Sequence, residues 1–290
     1  MKKLFVILNP VSGVVKKDNI LQQILEFTDP RKYEVSFSFT EGPGHATELC
    51  AEKVKEGNEV IIAVGGDGSV NEIARGLVGS ESKLGIIPAG SGNGLAHHLK
   101  IPTNYKKAIE VINQEKVIKI DTGSINNKLF VSIAGIGFDG LVARKFAKAG
   151  RRGFLSYLKI VTEEYPGYRP KKYTLEMNGK IVETRALFIT FANSDQFGYN
   201  TSIAPGAKID DGFLDVTIMQ KPPIIELPLL ASLLYWRQID KSRFIEIYKT
   251  TGLLLKTKKK RWVNIDGEPV KMEKELQVKI HPQSLNLIVP

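Results

Sequence analysis

The apolar run Val60-Ile61-Ile62-Ala63-Val64 passes directly into Gly65-Gly66-Asp67-Gly68-Ser69-Val70-Asn71-Glu72 and then into the helix-like Ile73-Ala74-Arg75-Gly76-Leu77-Val78. A buried strand feeds a glycine turn and a helix. Residues without side chains let backbone N–H groups approach a phosphate closely, and the helix N-terminus behind them adds partial positive charge. The segment suits a polyphosphate, and read alone it says nucleotide.

The surroundings repeat this unit. Strand 4–8, helix 19–27, strand 33–39, helix 44–56, strand 60–64, helix 71–78, strand 84–87 and helix 105–113 alternate with short connections. Such alternation predicts an α/β domain over 1–120, a parallel sheet with flanking helices whose ligand binds at the carboxyl ends of the strands. Beyond residue 120 the pattern changes to strands at 130–134, 173–177, 181–184, 187–192, 214–219, 244–249 and 261–265, with Asn178-Gly179 as a hairpin turn. Helices are expected near 140–149, 154–164 and 224–238. The second domain, 121–290, therefore reads as β-rich with helical insertions, its last strand open to rejoining the first domain.

Composition narrows the classes. With 42% hydrophobic and 25% charged residues, the 290-residue chain can build two cores. A single cysteine, Cys50, forms no internal disulfide and reads as a small buried hydrophobe, which fits a reducing compartment. The run Leu4–Leu8 is too short for a signal peptide, and Pro222–Trp236, with Glu226 and two prolines, falls short of the roughly 18 apolar residues of a membrane span. A charge of +10 favours an anionic partner: a nucleotide, a nucleic acid or an acidic membrane. The excess gathers at Arg144, Lys145, Lys148, Arg151 and Arg152, and again over Lys256–Arg261.

Gly135-Ile136-Gly137-Phe138-Asp139-Gly140 matches a dinucleotide fingerprint. It lies where the alternation has ended, and no strand ends in an acidic residue about 20 positions on. Glycines serving tight strand-to-helix packing are the better reading. His97 and His98 lack the companions of a metal site.

Four turns stand in order: Asn9-Pro10-Val11-Ser12-Gly13, Gly65–Glu72, Pro88-Ala89-Gly90-Ser91-Gly92-Asn93-Gly94 and Asp266-Gly267-Glu268. Together they resemble the diacylglycerol kinase catalytic-domain superfamily, which includes bacterial lipid kinases, sphingosine kinases and ceramide kinases, and the resemblance spans almost the whole chain. It implies an NAD-kinase-like α/β domain, a two-layer antiparallel β sandwich, and ATP held in the cleft between the two. Carried over, Asn9, Pro10, Ser12, Gly13, Thr40, Gly65, Gly66, Asp67, Gly68, Ser69, Asn71, Glu72, Ser91, Gly92 and Asn93 would line the ATP site. Hydroxyls and glycine amides there donate to phosphate oxygens. No G-x-x-x-x-G-K-[ST] occurs, so this is not an ordinary P-loop enzyme.

Phosphoryl transfer to an alcohol needs a group that accepts the hydroxyl proton. The resemblance puts that role on Glu268 or Asp266, with Glu268 slightly ahead. Asp210-Asp211-Gly212-Phe213 resembles the family's structural Mg²⁺ loop, which implies the Asp211 side chain with the backbone carbonyls of Lys208 and Phe213 as ligands. Where bacterial diacylglycerol kinases usually carry an aspartate after the third turn's asparagine, this chain has Gly94. Its metal and water network then leans on Asp67 and Asp121. That turn is closer to the sphingosine and ceramide kinase form, in which the aspartate equivalent to Asp67 takes the base role.

The expected function is transfer of the γ-phosphate of ATP, with Mg²⁺, to a membrane lipid hydroxyl. Diacylglycerol, giving phosphatidic acid, comes first, and a sphingoid base or ceramide second. An NAD kinase-like enzyme and a non-enzymatic nucleotide-binding module remain as alternatives. Expected partners are the lipid and an anionic membrane surface, reached by a cytoplasmic protein at the inner face of the membrane. Nucleic acid is not expected, because the basic runs lack interleaved aromatic residues. The sequence leaves the oligomeric state open, a homodimer included.

Overall fold

The computed structural model describes residues 1–10, 17–90, 92–149, 153–198 and 201–290. Two compact units divide the chain: Met1–Ile120 with Gln283–Pro290, and Asp121–Pro282. The first contains β1 (Lys2–Leu8), α1 (Lys17–Phe27), β2 (Tyr33–Phe39), α2 (His45–Lys55), β3 (Val60–Gly65), α3 (Asp67–Leu77), β4 (Lys83–Pro88), α4 (Gly94–His98) and α5 (Tyr105–Gln114). Then follow β5 (Val117–Ile125), β6 (Lys128–Phe130), β7 (Ile133–Gly137), α6 (Phe138–Lys148), α7 (Phe154–Glu164), β8 (Lys171–Met177), β9 (Lys180–Ala186), β10 (Phe188–Ala192), β11 (Gln196–Gly198) and β12 (Thr201–Ser202). The last are β13 (Leu214–Met219), α8 (Leu227–Tyr235), β14 (Ile245–Thr250), β15 (Gly252–Thr257), β16 (Arg261–Ile265), β17 (Glu268–Met272) and β18 (Glu275–Ile288).

In the α/β unit the strands run parallel in the order β2-β1-β3-β4, and the end of β18 joins β4 through Asn286 opposite Lys83. β3 is buried along its whole length, as an apolar strand covered on both faces must be. On one face Leu4, Val6, Ile62 and Val64 pack with Ile20 and Ile24 of α1 and Ile109 and Ile112 of α5. Elsewhere α2 and α3 close on each other at Gly76, where a Cβ would come 2.8 Å from the Cβ of Cys50. Burial pushes the Cys50 thiol up to about 12, so this residue behaves as a small core hydrophobe.

At the amino ends of β1, β2 and β4, Glu115 gathers Lys2 Nζ at 2.6 Å, Lys83 Nζ at 2.5 Å, Lys32 Nζ at 3.3 Å and the Tyr33 hydroxyl at 2.9 Å. Burial alone would raise this carboxyl, but the hydrogen bonds from Lys2, Lys83, Tyr33 and Lys32 hold it down at about 2. Its folded pKa lies below the unfolded one. The contribution is therefore full above about pH 5 and is lost as pH falls towards 2. Glu115→Gln should cost about 2 to 3 kcal/mol at pH 7 and flatten the acid limb of stability, read by urea unfolding between pH 3 and 7.

The second unit is a two-layer antiparallel β sandwich. One layer runs β18-β15-β8-β9, with β5 and β6 paired beside β18, and the other runs β14-β13-β10-β7-β16-β17. Tyr173, Leu175, Leu253, Leu255, Leu276 and Val278 of the first interleave with Ala134, Ile136, Ile189, Phe191, Val216 and Val263 of the second. A further apolar layer is built where Val142 of α6, Ile160 of α7 and Leu230 of α8 pack on Ile133, Phe188, Met219 and Ile245.

Several elements depart from the sequence reading for physical reasons. The helix expected from residue 71 begins at Asp67, because Gly66 already serves as its N-cap and Asp-Gly-Ser forms the first turn. The strand expected over 130–134 is two strands, interrupted where the backbone amides of residues 131–133 turn to a side chain. The expected helix 224–238 is a 3₁₀ turn at Ile224–Glu226 followed by α8, where Pro228 stands in the first turn. Strands β5, β15, β17 and β18 and the short α4 escaped the sequence reading. Along β17 and the first half of β18, charged and polar residues alternate with single apolar ones and hide one buried face.

Candidate functional site

The residues expected to bind phosphate stand at the carboxyl ends of β1, β2, β3 and β4, where loops of a parallel sheet meet. Asn9 follows β1, donates its backbone N–H to Val64 O at 3.3 Å, and sends Nδ2 to Ser69 Oγ at 3.1 Å. Thr40 follows β2, is buried, and donates its backbone N–H to Leu8 O at 2.9 Å. Pro10 is half-buried in the turn after Asn9. Ser12, Gly13 and Ser91 lie outside the described residues, as do Arg151 and Arg152 of the first basic cluster.

Two glycine turns meet here. A Cβ on Gly66 would come 3.1 Å from Gly90 Cα, and a Cβ on Gly92 would come 2.9 Å from Asp67 Oδ2. The backbones of the second and third turns therefore pack directly on one another, with the Asp67 carboxylate against the third turn. Gly66 itself has φ −96° and ψ −169°, which any residue adopts. A side chain at Gly66 is therefore obstructed by the neighbouring turn and not by its own backbone angles. Asn93, at φ 50°, closes the third turn by accepting Gly90 N–H at 3.0 Å and donating to Gly90 O at 2.8 Å.

Asp67, Gly68 and Ser69 form the first turn of α3, and Asn71 is buried one residue beyond Val70. Their N–H groups and the helix dipole face the same end as Gly65. Glu72 has a different occupation. Its Oε1 accepts Gly44 N–H at 3.0 Å and its carbonyl accepts the Thr47 hydroxyl at 2.7 Å, tying α3 to the start of α2.

In the β unit, Asp266 and Gly267 are the two-residue turn between β16 and β17, with φ 45° and 91°. The Asp266 carboxylate accepts Val131 N–H at 2.7 Å, Ser132 N–H at 3.0 Å and Ile133 N–H at 2.9 Å, and the residue is 5% exposed. A carboxylate so enclosed holds the β6–β7 connection, and these three backbone donors compete with the expected role of Asp266 as a base. Glu268, half-buried, opens β17 opposite Ile265.

Sequence reasoning missed the support behind this turn. Asn264 Oδ1 accepts Gly267 N–H at 2.9 Å, and Asn264 Nδ2 donates to both oxygens of Asp139 at 3.1 Å. Burial pushes the Asp139 carboxyl up to about 6, against the Asn264 hydrogen bond. The only sequence signal was Asp139's place inside the Gly135–Gly140 pattern. There a Cβ on Gly135 would overlap the Asp139 carboxylate, one on Gly140 would overlap the Trp262 carbonyl, and Gly137 has φ +103° with Leu187 O 2.7 Å from its Cβ position. These glycines serve packing around Asp139.

At the expected metal loop, Asp121 is fully buried and its Oδ2 accepts Gly212 N–H at 2.7 Å. Asp211 accepts Phe213 N–H at 3.1 Å through Oδ1 and the Lys249 ammonium at 2.7 Å through Oδ2. Among the described residues no three His, Cys, Asp or Glu side chains gather as a metal group. The expected set has one carboxylate and the Lys208 and Phe213 carbonyls, all hard oxygens of the kind Mg²⁺ takes, and each carboxylate oxygen of Asp211 keeps a second lone pair. The donor chemistry fits a Mg²⁺ ion, with Lys249 as the competing cation.

Two family models cover most of the chain: the diacylglycerol kinase catalytic domain matches residues 3–125, and the YegS C-terminal NAD kinase beta sandwich-like domain matches 132–289. A diacylglycerol kinase of Bacillus subtilis (strain 168) is 30% identical over 275 residues, 92% of this chain and 90% of that protein. One of Staphylococcus aureus (strain MRSA252) is 28% identical over 272 residues, 92% of this chain and 86% of that protein. A crystal structure from Bacillus anthracis str. Sterne matches with TM-score 0.83 at 24% identity, covering 100% of this chain and 97% of that one. A second, of a diacylglycerol kinase from the same strain, matches with TM-score 0.77 at 21% identity and the same coverage. At these identities the two structures speak for the fold. The sequence matches carry the resemblance read from the four turns, and the chain belongs to the diacylglycerol kinase family of lipid kinases.

Proposed function

We propose that this protein transfers the γ-phosphoryl group of ATP to the hydroxyl of diacylglycerol, giving phosphatidic acid. The observation that carries the nucleotide half is the direct packing of the Gly66 and Gly90 turns at the α3 N-terminus, with Asp67 between α3 and the third turn. Such a surface offers converging N–H donors and no side chain to keep a phosphate away. The acceptor half rests on the relatives, whose name is that of the reaction.

Asn9, Ser69 and Thr40, with Ser12, Gly13 and Ser91, would donate to the phosphate oxygens, and Asp67 would orient the γ-phosphoryl end. Glu268 would accept the hydroxyl proton as the acceptor oxygen attacks phosphorus. Asp211 with the Lys208 and Phe213 carbonyls would hold Mg²⁺, and Asp121 would steady the loop through Gly212. Bound there, the ion would brace the 208–213 loop, and the Mg²⁺ that accompanies ATP would supply neutralisation of phosphate charge. Gly94, in place of the usual aspartate, favours a second reading in which the acceptor is a sphingoid base or ceramide.

No helix among the described residues is long and apolar enough to cross a membrane, so peripheral encounter with the lipid surface belongs to this proposal. The test is transfer of labelled phosphate from ATP to a panel of diacylglycerol, sphingosine and ceramide in mixed micelles, with NAD as control. Labelled phosphatidic acid is the expected product. Label on NAD alone, or on no acceptor while ATP still binds, overturns the reading.

A further inference from the structure

The second basic cluster of the sequence is not one surface. Lys256 pairs with Glu176 at 2.5 Å, and Lys260 pairs with Glu273. Of the other three, Lys258, Lys259 and Arg261, Lys258 lines a cavity of about 560 Å³ together with Lys172, Thr174, Glu183, Thr184 and Arg185, with the paired Lys256 in the same wall.

The register of the sheet explains why these cations meet. Lys172 of β8 stands directly opposite Arg185 of β9, and Thr257 of β15 stands opposite Tyr173 of β8. One residue past Thr257, Lys258 comes level with Lys172. Three cations thus form a row across three adjacent strands, all exposed, on the face turned away from Tyr173 and Leu175. No ion pair within 4.0 Å joins any of the three to a carboxylate among the described residues, although Glu183 stands in the same cavity wall. Like charges directly opposite each other on neighbouring strands are destabilising. A row of three that no carboxylate pairs directly is a cost that a bound anion reverses, and an arginine fork beside two lysine point charges matches a phosphate with two or three free oxygens.

We propose that the Lys172–Arg185–Lys258 row binds a phosphate group, carried either by an anionic lipid headgroup or by a free phosphate compound. The assignment stands without the reading of phosphoryl transfer, and its test uses no activity measurement. The protein and its variant Lys172→Gln/Arg185→Gln are compared by thermal unfolding in inorganic phosphate against sodium chloride of equal ionic strength. Both are also compared for sedimentation with vesicles of phosphatidylcholine alone or containing phosphatidylglycerol.

Phosphate at about ten times its Kd should raise the Tm of the native protein by roughly 3 °C more than that of the variant. The variant's own Tm in phosphate-free buffer should be equal or higher, since repulsion has been removed. A loss of fivefold or more in binding to phosphatidylglycerol vesicles identifies the headgroup as the source. Phosphate protection lost with vesicle binding unchanged identifies a free phosphate compound. Equal phosphate shifts in the two proteins together with equal vesicle binding overturn the proposal, and so does loss of thermal protection by ATP, which would mean the variant acts through the fold.

Discussion

Asp266→Asn should cost the β unit about 3 to 5 kcal/mol and lower its Tm by roughly 10 °C, although it changes one atom. The carboxylate receives three N–H groups, from Val131, Ser132 and Ile133, through two oxygens. An amide has one acceptor oxygen, and its NH₂ would be turned against one of those donors. At least one buried N–H is then orphaned, at about 1 to 3 kcal/mol, and the charge that strengthens the remaining bonds is gone. Flipping the amide cannot help, because both oxygen positions face N–H donors, Val131 at Oδ2 and Ser132 and Ile133 at Oδ1, while the Asp266 backbone is fixed by its own N–H bonded to Ile133 O at 3.0 Å. Differential scanning calorimetry checks the cost. A Tm within about 2 °C of the native value would count against this holding role and for Asp266 as the base.

That role was not visible in the sequence, and the reason is physical. Asp-Gly between two strands announces a hairpin turn, and the turn is there. The carboxylate's partners, however, lie more than 130 positions away, in a segment whose Phe-Val-Ser-Ile-Ala pattern reads as one unbroken strand. Neither half of the interaction carries a local signal. Asn264 and Asp139 share this property: each is an ordinary polar residue until the packing of β16 on β7 brings them together.

Local period was a sound guide where both faces of a strand are buried or one helix face is apolar. The β1 to β4 alternation of the α/β unit follows from it. It failed along β17 and β18, where lysine and glutamate alternate with single apolar residues and an edge or lysine-rich strand resembles a loop. The glycines divide in the same way. Gly66 and Gly90 were legible as a phosphate turn, but the backbone-to-backbone packing that demands them depends on two turns separated by a whole βα unit. The Gly135–Gly140 pattern was legible as packing only because its context excluded a dinucleotide site, and the overlap with Asp139 and Trp262 supplies the cause.

Glu268→Gln should lower turnover by about 10² to 10⁴ with ATP binding retained, since Asp266 is engaged by three backbone N–H groups and Glu268 is the more exposed carboxylate of the turn. The substitution keeps size and hydrogen bonding and removes only proton acceptance. The backbone of the turn is held by its neighbours: Gly267 N–H is held by Asn264, Asn264 is held by Asp139, and Glu268 pairs with Ile265 at the first rung of β17. Loss of turnover therefore reads as loss of the proton acceptor. Asp67→Asn is the companion measurement, because Asp67 lies against Gly92 among the nucleotide turns. If Glu268 is the base, Asp67→Asn should weaken ATP use, seen chiefly as a raised KM for ATP, whereas Glu268→Gln should lower kcat alone. Near-normal kcat in Glu268→Gln with an inactive Asp67→Asn would move the base to the α/β unit and make the sphingosine-kinase-like assignment of Asp67 the correct one.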